Sequence, residues 1–550
     1  MNTKKSVLSI QKILSQIDWK LLLFLLLFLN VKLVVKVAAI ILIYILQQDF
    51  KFGFKLKDSR LPLFYPLIIG VALINLIVYK GFADLNYSIA FFTGSGYWLL
   101  CILAIHQIKL FVEKNDAQTL HNTIKAFFII NTMASLFTFI PIIWEIKEIN
   151  PYLYQGQYQK YFISTGDYVR GITFDVSTTN AILNAFAVVY FLVRKNISML
   201  LVCMITLLLT GSNFTNLTLL LLFVYLFIFK TDRDQKSIIV ICTVLLIIQM
   251  VKVSPQNNLY SQEIFNKIFS PKQQIKHSAI LSAIPITEQP DSILTVDERK
   301  EKIAKCYLDS LSRIVLNKQG IHTTIAPVKS STAIEKPLIP GDSIHTATFQ
   351  SRKDTSLVQK ELISFSNTHE EGGTSSPNKY PATLPGKAIG LKQSVLFFRD
   401  HPFKIITGTG MGNFSSKLAF RTTGLKIAGG YPTKFIYINN DFLENHLNLF
   451  LFFFSKNIKY HSLVNNPASV YDQLICEYGV LGILLLFIFY FGFFLKNGKQ
   501  LTYGIPLFLL LASAFVVEYW FEQLSIVVFF ELLLLLNMKE ALNKKRLENE

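Results

Sequence analysis

The sequence predicts an all-α polytopic membrane protein with about twelve transmembrane helices and one large outer loop before the last three. Of the 550 residues, 51% are hydrophobic and only 16% are charged, and the mean hydropathy is +0.41. An average soluble domain has a charged fraction of about 25%. Apolar runs near the length that crosses a bilayer recur along the chain. Lys and Arg cluster in the short links between these runs, as they do in cytoplasmic loops.

The positions of the charged residues and of the cysteines exclude several classes of function. The net charge of +18 is concentrated in links between apolar runs, so it indicates membrane orientation and not nucleic-acid binding. The five cysteines show no CxxC spacing and lie mostly in apolar runs, which predicts neither a disulfide framework nor a metal site. The first apolar run lacks a small-residue cleavage pattern, so no cleavable signal peptide is expected.

The first apolar run, Ile17 to Gln47, is longer than the roughly 20 residues that a bilayer requires. A break at Lys32 makes two short helices and returns the basic segments on either side of the run to one face of the membrane. The helix interiors carry almost no charge, and polar residues concentrate in the segments assigned to the outer face. The other predicted helices cover 62–79, 89–111, 123–144, 177–193, 197–211, 215–229, 237–252, 474–495, 501–517 and 523–537.

These segments divide the chain into four parts. The parts are an N-terminal block of about nine helices (1–252), a large outer loop (253–472), a block of three helices (473–537) and a cytoplasmic tail (538–550). Within the loop, 271–387 is rich in Ser, Thr, Pro and Lys, and it is expected to be loosely ordered apart from one helical patch at 297–315. Residues 388–472 carry the motifs.

The motif-bearing part of the loop begins with AIGLKQSVLFFRD, which predicts a short amphipathic helix. The apolar positions that suit such a helix are Ile389, Leu391, Val395, Leu396 and Phe398. The later segment 439–456 is apolar but too short to cross a membrane, so it is expected to lie at the interface or pack on the bundle.

Glycines follow this helix in the run GTGMGN. A dinucleotide-binding fingerprint needs a preceding strand and a following helix in a βαβ unit, and neither is expected in an outer loop. Gly408, Gly410 and Gly412 are therefore predicted to shape a tight, close-packed turn. No cofactor is expected.

Charged residues in the outer segments are the candidates for chemistry. Arg170 precedes an apolar helix, where an arginine either clamps a phosphate or contacts lipid headgroups. Arg399 and Arg421 flank the glycine turn with His401, which is a candidate base because an imidazole ordinarily titrates near neutrality. Glu477 begins an apolar helix, where a carboxylate either favours the helix N-terminus or acts as a base. Glu518 and Glu522 are weaker candidates of the same kind.

Four patterns in order along the chain resemble the bacterial O-antigen ligase and polymerase family of membrane glycosyltransferases. The first is Arg170 with Phe174 and Asn180 in the loop GDYVRGITFDVSTTN. The others are LLLTGSNFTN, DHPFKIITGTGMGNF and VYDQLICEYGVLG. Asn213 stands where the family pattern has an arginine, and Ala468 and Ser469 stand at its His-Asn pair, which favours the polymerase branch over the ligases.

The resemblance implies a bacterial inner-membrane protein with its large loop in the periplasm. It implies an enzyme that joins oligosaccharides carried on a polyprenyl diphosphate into a surface polysaccharide, in contact with a glycan or glycolipid acceptor and with other polysaccharide-assembly proteins. Arg170, Arg421 and Arg399 would then bind the diphosphate, and Glu477 and His401 would serve the acceptor. The alternatives are an O-antigen ligase, which transfers the glycan to a lipid or protein acceptor, and a transporter or flippase of lipid-linked glycans.

Overall fold

All the regular structure in the described part of the chain is helical. The computed structural model describes residues 16–56, 58–147, 169–253, 385–425, 431–453, 463–496 and 498–549, together with 285–289, 294, 298–299 and 301–306. No strand occurs within these ranges. The all-α prediction is therefore confirmed for the described residues.

The helices follow the predicted apolar runs closely. The first nine are α1 (Trp19–Phe28), α2 (Leu33–Gln47), α3 (Phe64–Val78), α4 (Leu85–Lys114), α5 (Ala117–Ile146), α6 (Ser177–Val193), α7 (Ile197–Thr210), α8 (Asn213–Phe229) and α9 (Arg233–Ile248). The segment predicted to be the outer loop, called the outer segment below, holds α10 (Gly386–Asp400), α11 (Lys417–Thr422), α12 (Asn440–Asn445) and α13 (Leu447–Phe453). The last four are α14 (Val470–Leu495, with a π-helical stretch at Leu486–Phe491), α15 (Gly504–Ala514), α16 (Trp520–Gln523) and α17 (Ser525–Asn549).

Long apolar helices indicate a membrane-associated protein. Four of those described are long and apolar enough to cross a bilayer, namely Leu85–Lys114, Ala117–Pro141, Arg233–Val251 and Val470–Leu495. Seven shorter apolar helices of 10–17 residues accompany them. The number of spans and the side on which each loop lies stay predictions.

The break predicted near Lys32 is present. Helix α1 ends at Phe28, and α2 begins after Lys32. The two helices are antiparallel, because Lys20 Nζ at the start of α1 donates a hydrogen bond to the carbonyl of Leu46 at the end of α2 (3.3 Å). The start of α1 and the end of α2 therefore lie at the same end of the bundle.

Two ionisable side chains are buried in helix interiors that were expected to carry almost no charge. Lys36 and Glu531 are 2% and 0% exposed. Lys36 Nζ donates to the carbonyl of Phe28 (2.7 Å) and to Ser525 Oγ (2.9 Å), and Tyr65 donates its hydroxyl to Glu531. Hydrogen bonds of this kind offset the cost of removing a charge from water. Lys36 thereby fastens the α1–α2 break to the start of α17.

Helix α10 forms as predicted, but it buries a different face. Leu391 and Val395 are 59% and 61% exposed, whereas Gln393 and Ser394 are buried. The reason is a specific polar contact, since Ser394 Oγ donates to Asp472 Oδ1 of α14 (2.8 Å). This buried hydrogen bond to a carboxylate determines which face of α10 is buried. Apolar periodicity alone predicted another face.

Helix α13 packs against α11 and against Tyr519, which directly precedes α16. Phe450 of α13 stacks on Phe420 of α11 with ring centroids 4.6 Å apart, and it also contacts Tyr519. This is one of the two positions predicted for segment 439–456.

Segment 271–387 lies mostly outside the described residues, although 301–306, within the predicted helical patch, is helical.

Candidate functional site

The glycine run forms a turn with left-handed backbone at alternate residues. Gly408, Gly410 and Gly412 have φ of +79°, +95° and +77°, values that residues with a Cβ rarely adopt. A Cβ at Gly408 would also overlap the backbone of Glu477. Glycine is required here both by conformation and by close approach.

This turn pairs with a break in α14. Gly479 interrupts that helix with φ +69° and ψ −166°, so nearby backbone groups are released to bond outside the helix. Thr409 N donates to the carbonyl of Cys476 (2.9 Å), and Leu481 N donates to the carbonyl of Ile406 (3.2 Å). The turn and the helix break thus supply hydrogen-bond partners for each other's backbone groups, which buried peptide groups require.

Glu477 anchors the glycine turn by hydrogen bonds to its backbone. Its side chain is fully buried, and its carboxylate accepts backbone hydrogen bonds from Gly412 (2.8 Å), Phe414 (3.3 Å) and Ser416 (3.1 Å). Both carboxylate oxygens are used in this way. Successive backbone N–H groups around a carboxylate form a recognised anion nest. The geometry therefore favours an anchoring role for Glu477 over the catalytic one expected.

Replacing Glu477 with Gln distinguishes these two roles. The amide keeps the size of the carboxylate but has a single acceptor oxygen and turns an NH₂ group toward backbone donors. We expect Glu477→Gln to lower the apparent Tm of the detergent-solubilised protein, because leaving buried donors unpaired costs on the order of 1–3 kcal/mol. A variant with unchanged Tm and lost activity would restore Glu477 as a catalytic residue.

A pair of cations follows the turn directly. Ser416 caps α11 by accepting from Ala419 N (3.0 Å), so the anchored turn determines where α11 begins. Lys417 and Arg421 are four residues apart and share one face of that helix. Arg421 donates from Nη1 to the hydroxyl of Tyr97 in α4 (2.8 Å). Burial and the charge of Arg421 lower the pKa of Lys417.

An acidic side chain faces these cations. Glu522 lies in α16, the short link between α15 and α17, and its Oε1 accepts from Gln473 Nε2 of α14 (2.6 Å). Its Oε2 is buried without a hydrogen-bond partner among the described residues. Burial and the nearby Glu477 raise the pKa of Glu522 to about 8, against the opposing charges of Arg421 and Lys417.

Asp175 connects the cation pair to the loop that carries Arg170. With its amide oriented to satisfy both neighbours, Gln523 donates to Asp175 Oδ2 (3.0 Å) and accepts from Lys417 Nζ (3.0 Å). Asp175 is 3% exposed and follows Arg170 by five residues. The structure thus brings together one polar cluster, comprising Tyr97, Asp175, Lys417, Arg421, Gln473, Glu522 and Gln523.

Arg170 is partly buried at the start of a short 3-10 helix, Gly171–Thr173. Two asparagines hold this loop. Ile172 N donates to Asn131 Oδ1 (3.0 Å), and Asn180 Nδ2 donates to the carbonyl of Val169 (3.0 Å). Asp175 itself accepts a hydrogen bond from Thr179 Oγ1 (2.9 Å). The loop is rigidly placed, with Asp175 at the cluster.

Arg399 and His401 lie apart from this cluster at the end of α10. The Arg399 side chain is 70% exposed and pairs with Asp400 (3.0 Å). His401 stacks on Phe397 with ring centroids 4.6 Å apart. Among the described residues, no hydrogen bond or ion pair joins either side chain to Lys417, Arg421 or Glu522.

Sequence reasoning missed a second polar group, the buried pair of His446 and Asp472. Nε2 of His446 is 2.9 Å from Asp472 Oδ2, whose other oxygen accepts from Ser394. His446 is fully buried beside Phe414. The pair connects α10, α12 and α14 beneath the outer segment. His446 and Asp472 are 26 residues apart, and neither lies in a recognisable motif. No local sequence pattern therefore predicted that they would pair.

The described residues include no group of three or more His, Cys, Asp or Glu side chains arranged to hold a metal ion. No protein-family model, curated protein or solved structure matches this chain.

Proposed function

We propose that this protein is a membrane-embedded glycosyltransferase that joins polyprenyl-diphosphate-linked oligosaccharides into a surface polysaccharide, in the manner of an O-antigen polymerase. The observation that supports this function most is the cluster in which Lys417 and Arg421 face Glu522. The cluster lies where the outer segment meets the end of an apolar helical bundle. A lipid-linked donor needs such a position, with its lipid beside the bundle and its polar head at the outer segment.

The cations suit the departing diphosphate. When the bond between the anomeric carbon and the diphosphate oxygen breaks, the bonding electrons leave with the diphosphate, and its negative charge grows. Positive groups fixed at that point stabilise the transition state. Arg421 offers a planar donor fork that matches phosphate oxygens, and Lys417 adds a second positive charge. Arg170 is a third candidate through its loop.

The carboxylate suits the acceptor. The attacking sugar hydroxyl forms the new bond to the anomeric carbon and loses its proton to a base. We assign this role to Glu522, whose Oε2 has no hydrogen-bond partner among the described residues, whereas both oxygens of Glu477 bind backbone amides. A base with a pKa near the working pH transfers protons efficiently. The donor's diphosphate bond supplies the energy, so no nucleotide is needed.

The pH dependence of the reaction tests Glu522. A base acts when deprotonated, so we expect the rate to rise with pH and to level off above the pKa of about 8. We expect Glu522→Gln to lower the rate by about 10²–10⁴-fold above that pKa, the usual contribution of a general base, and to remove the rise of the rate with pH. A wild-type profile that is flat through neutral pH would contradict the assignment.

Stability gives an independent measure of the same ionisation. The folded protein holds the Glu522 proton with a pKa of about 8, above the value of 4.5 for an ordinary glutamate. This contribution to stability is therefore present below 4.5 and is lost as the pH rises through 8. Because glutamine does not ionise, the apparent Tm of Glu522→Gln should fall less than that of wild type over this interval.

Reconstitution tests the function as a whole. The full-length chain in liposomes is supplied with a polyprenyl-diphosphate oligosaccharide, and the products are separated by size. A ladder of extended glycans on the carrier lipid supports the polymerase. Transfer only to a different lipid or protein acceptor would indicate the ligase.

Movement of the oligosaccharide across the membrane without bond formation would indicate a flippase and exclude the enzyme. Buried charges such as Lys36 and Glu531 line the path of some transporters. Here both are held by hydrogen bonds to neighbouring helices, which favours a structural role for them.

A further inference from the structure

A cavity of about 320 Å³ opens at the end of the bundle opposite the glycine turn. Its lining comes from the segment before α3, the last part of α4, the end of α14 and the late part of α17. Glu477 and Ser525, by contrast, lie near the starts of α14 and α17. The volume falls at the lower end of the range of roughly 300–1,000 Å³ that ligand pockets occupy. The cavity is therefore separate from the proposed active site.

Three cations line this cavity. Arg60, Lys109 and Lys496 face it together with one carboxylate, Asp58. Glu113 pairs with both Arg60 and Lys109, and Lys496 pairs with Asp58. The cations outnumber the carboxylates by one. Glu113 and the Lys51 carbonyl take three of the five N–H donors of Arg60, so two remain unpaired within the described residues.

Apart from Ser59, the rest of the lining is apolar. Ile488 and Phe489 belong to a π-helical stretch of α14, Leu486–Phe491. Such wide turns occur rarely and often at functional sites. Ile488 is 58% exposed, so an apolar face continues from the cavity along the outside of the bundle. Positive charge at the mouth and an apolar wall beside it together match an amphiphile with an anionic head.

We propose that this cavity binds an anionic phospholipid. Its phosphate would be held by Arg60, Lys109 and Lys496, and its acyl chains would lie along Ile488, Phe489 and Phe493. Basic pockets between membrane helices bind anionic headgroups in this way. A free phosphate would use the same cations but would gain nothing from the apolar wall.

Native mass spectrometry of the full-length protein in detergent micelles tests the proposal. The protein is titrated in turn with phosphatidylglycerol, phosphatidylcholine and inorganic phosphate. We expect a retained adduct of phosphatidylglycerol, and little of the other two at the same concentration. Lys496→Gln should weaken the adduct about fivefold, since one basic residue near an anionic headgroup contributes on the order of 1 kcal/mol. The Lys496 side chain is 65% exposed, so this change leaves packing intact.

The matched control removes charge outside the cavity. Lys230 follows α8 at the same end of the bundle and does not line the cavity. Lys230→Gln should leave the phosphatidylglycerol adduct unchanged. An equal loss in both variants, equal retention of phosphatidylcholine, or equal binding of inorganic phosphate would each overturn the proposal. None of these readouts involves glycan transfer, so the result is independent of the proposed enzyme activity.

Discussion

Arg421→Ala is expected to lower the rate of glycan joining by about 10²–10³-fold, the usual effect of removing one group that stabilises transition-state charge. The Arg421 guanidinium is held by the hydroxyl of Tyr97 (2.8 Å) and shares a helix face with Lys417. It is thus positioned before substrate arrives. The measurement is the initial rate of ladder formation in proteoliposomes that contain equal amounts of folded protein.

Lys434→Ala is the matched control. Lys434 is an exposed cation of the same outer segment, with its Nζ over the ring of Phe435 (5.4 Å), and its loss should leave the rate unchanged. Tyr97→Phe keeps the ring but releases the guanidinium, so a smaller loss is expected there. Wild-type activity in Arg421→Ala would remove this cluster from the reaction.

Arg170→Ala, in the same assay, measures how far the adjoining loop contributes to the site. If its loss equals that of Arg421→Ala while membrane levels stay intact, Arg170 acts on the diphosphate. If the rate is unchanged, the loop contributes through Asp175 alone.

The helices were predictable because their signal is local. Length and apolar composition identify a membrane-length run from consecutive residues, and every predicted run in the described ranges is helical. The break at Lys32 also followed from local features, since the run was too long and basic segments stood at both ends. The face of α10 did not, because a single bond from Ser394 to Asp472 outweighed the apolar periodicity.

The candidate site was only partly predictable because most of its contacts are distant in sequence. The alternate glycines in the sequence predicted the turn, and Arg421 was a candidate because it follows these glycines. No sequence pattern indicates that Tyr97, Asp175 and Glu522 lie together, since 78 and 347 residues separate them along the chain. Glu477 showed the sequence of a helix start, whereas its role depends on a break two residues later that brings the turn onto it.

Gly479→Ala should produce the largest loss of stability among these changes. Gly479 adopts φ +69° inside α14, which costs a residue with a Cβ on the order of 1–3 kcal/mol. The new methyl would also meet the turn, at 2.6 Å from Thr407 N and closer still to the carbonyl of Ile406. Backbone atoms cannot move aside as side chains can. We expect a destabilisation of about 3 kcal/mol or more, seen as a lower apparent Tm in detergent.

Gly96→Ala is the control, because it adds the same methyl group to another apolar helix, α4, where no atom beyond the adjoining helix backbone and the two chain neighbours lies within 4 Å of the new Cβ. Alanine is preferred to glycine in a helix by roughly 1 kcal/mol, so Gly96→Ala should keep or raise the Tm. Gly479→Ala should also lose activity at temperatures where it is still folded, because the displaced turn shifts Ser416 and with it Lys417 and Arg421. Equal Tm values for the two variants would mean that the turn does not depend on the break in α14.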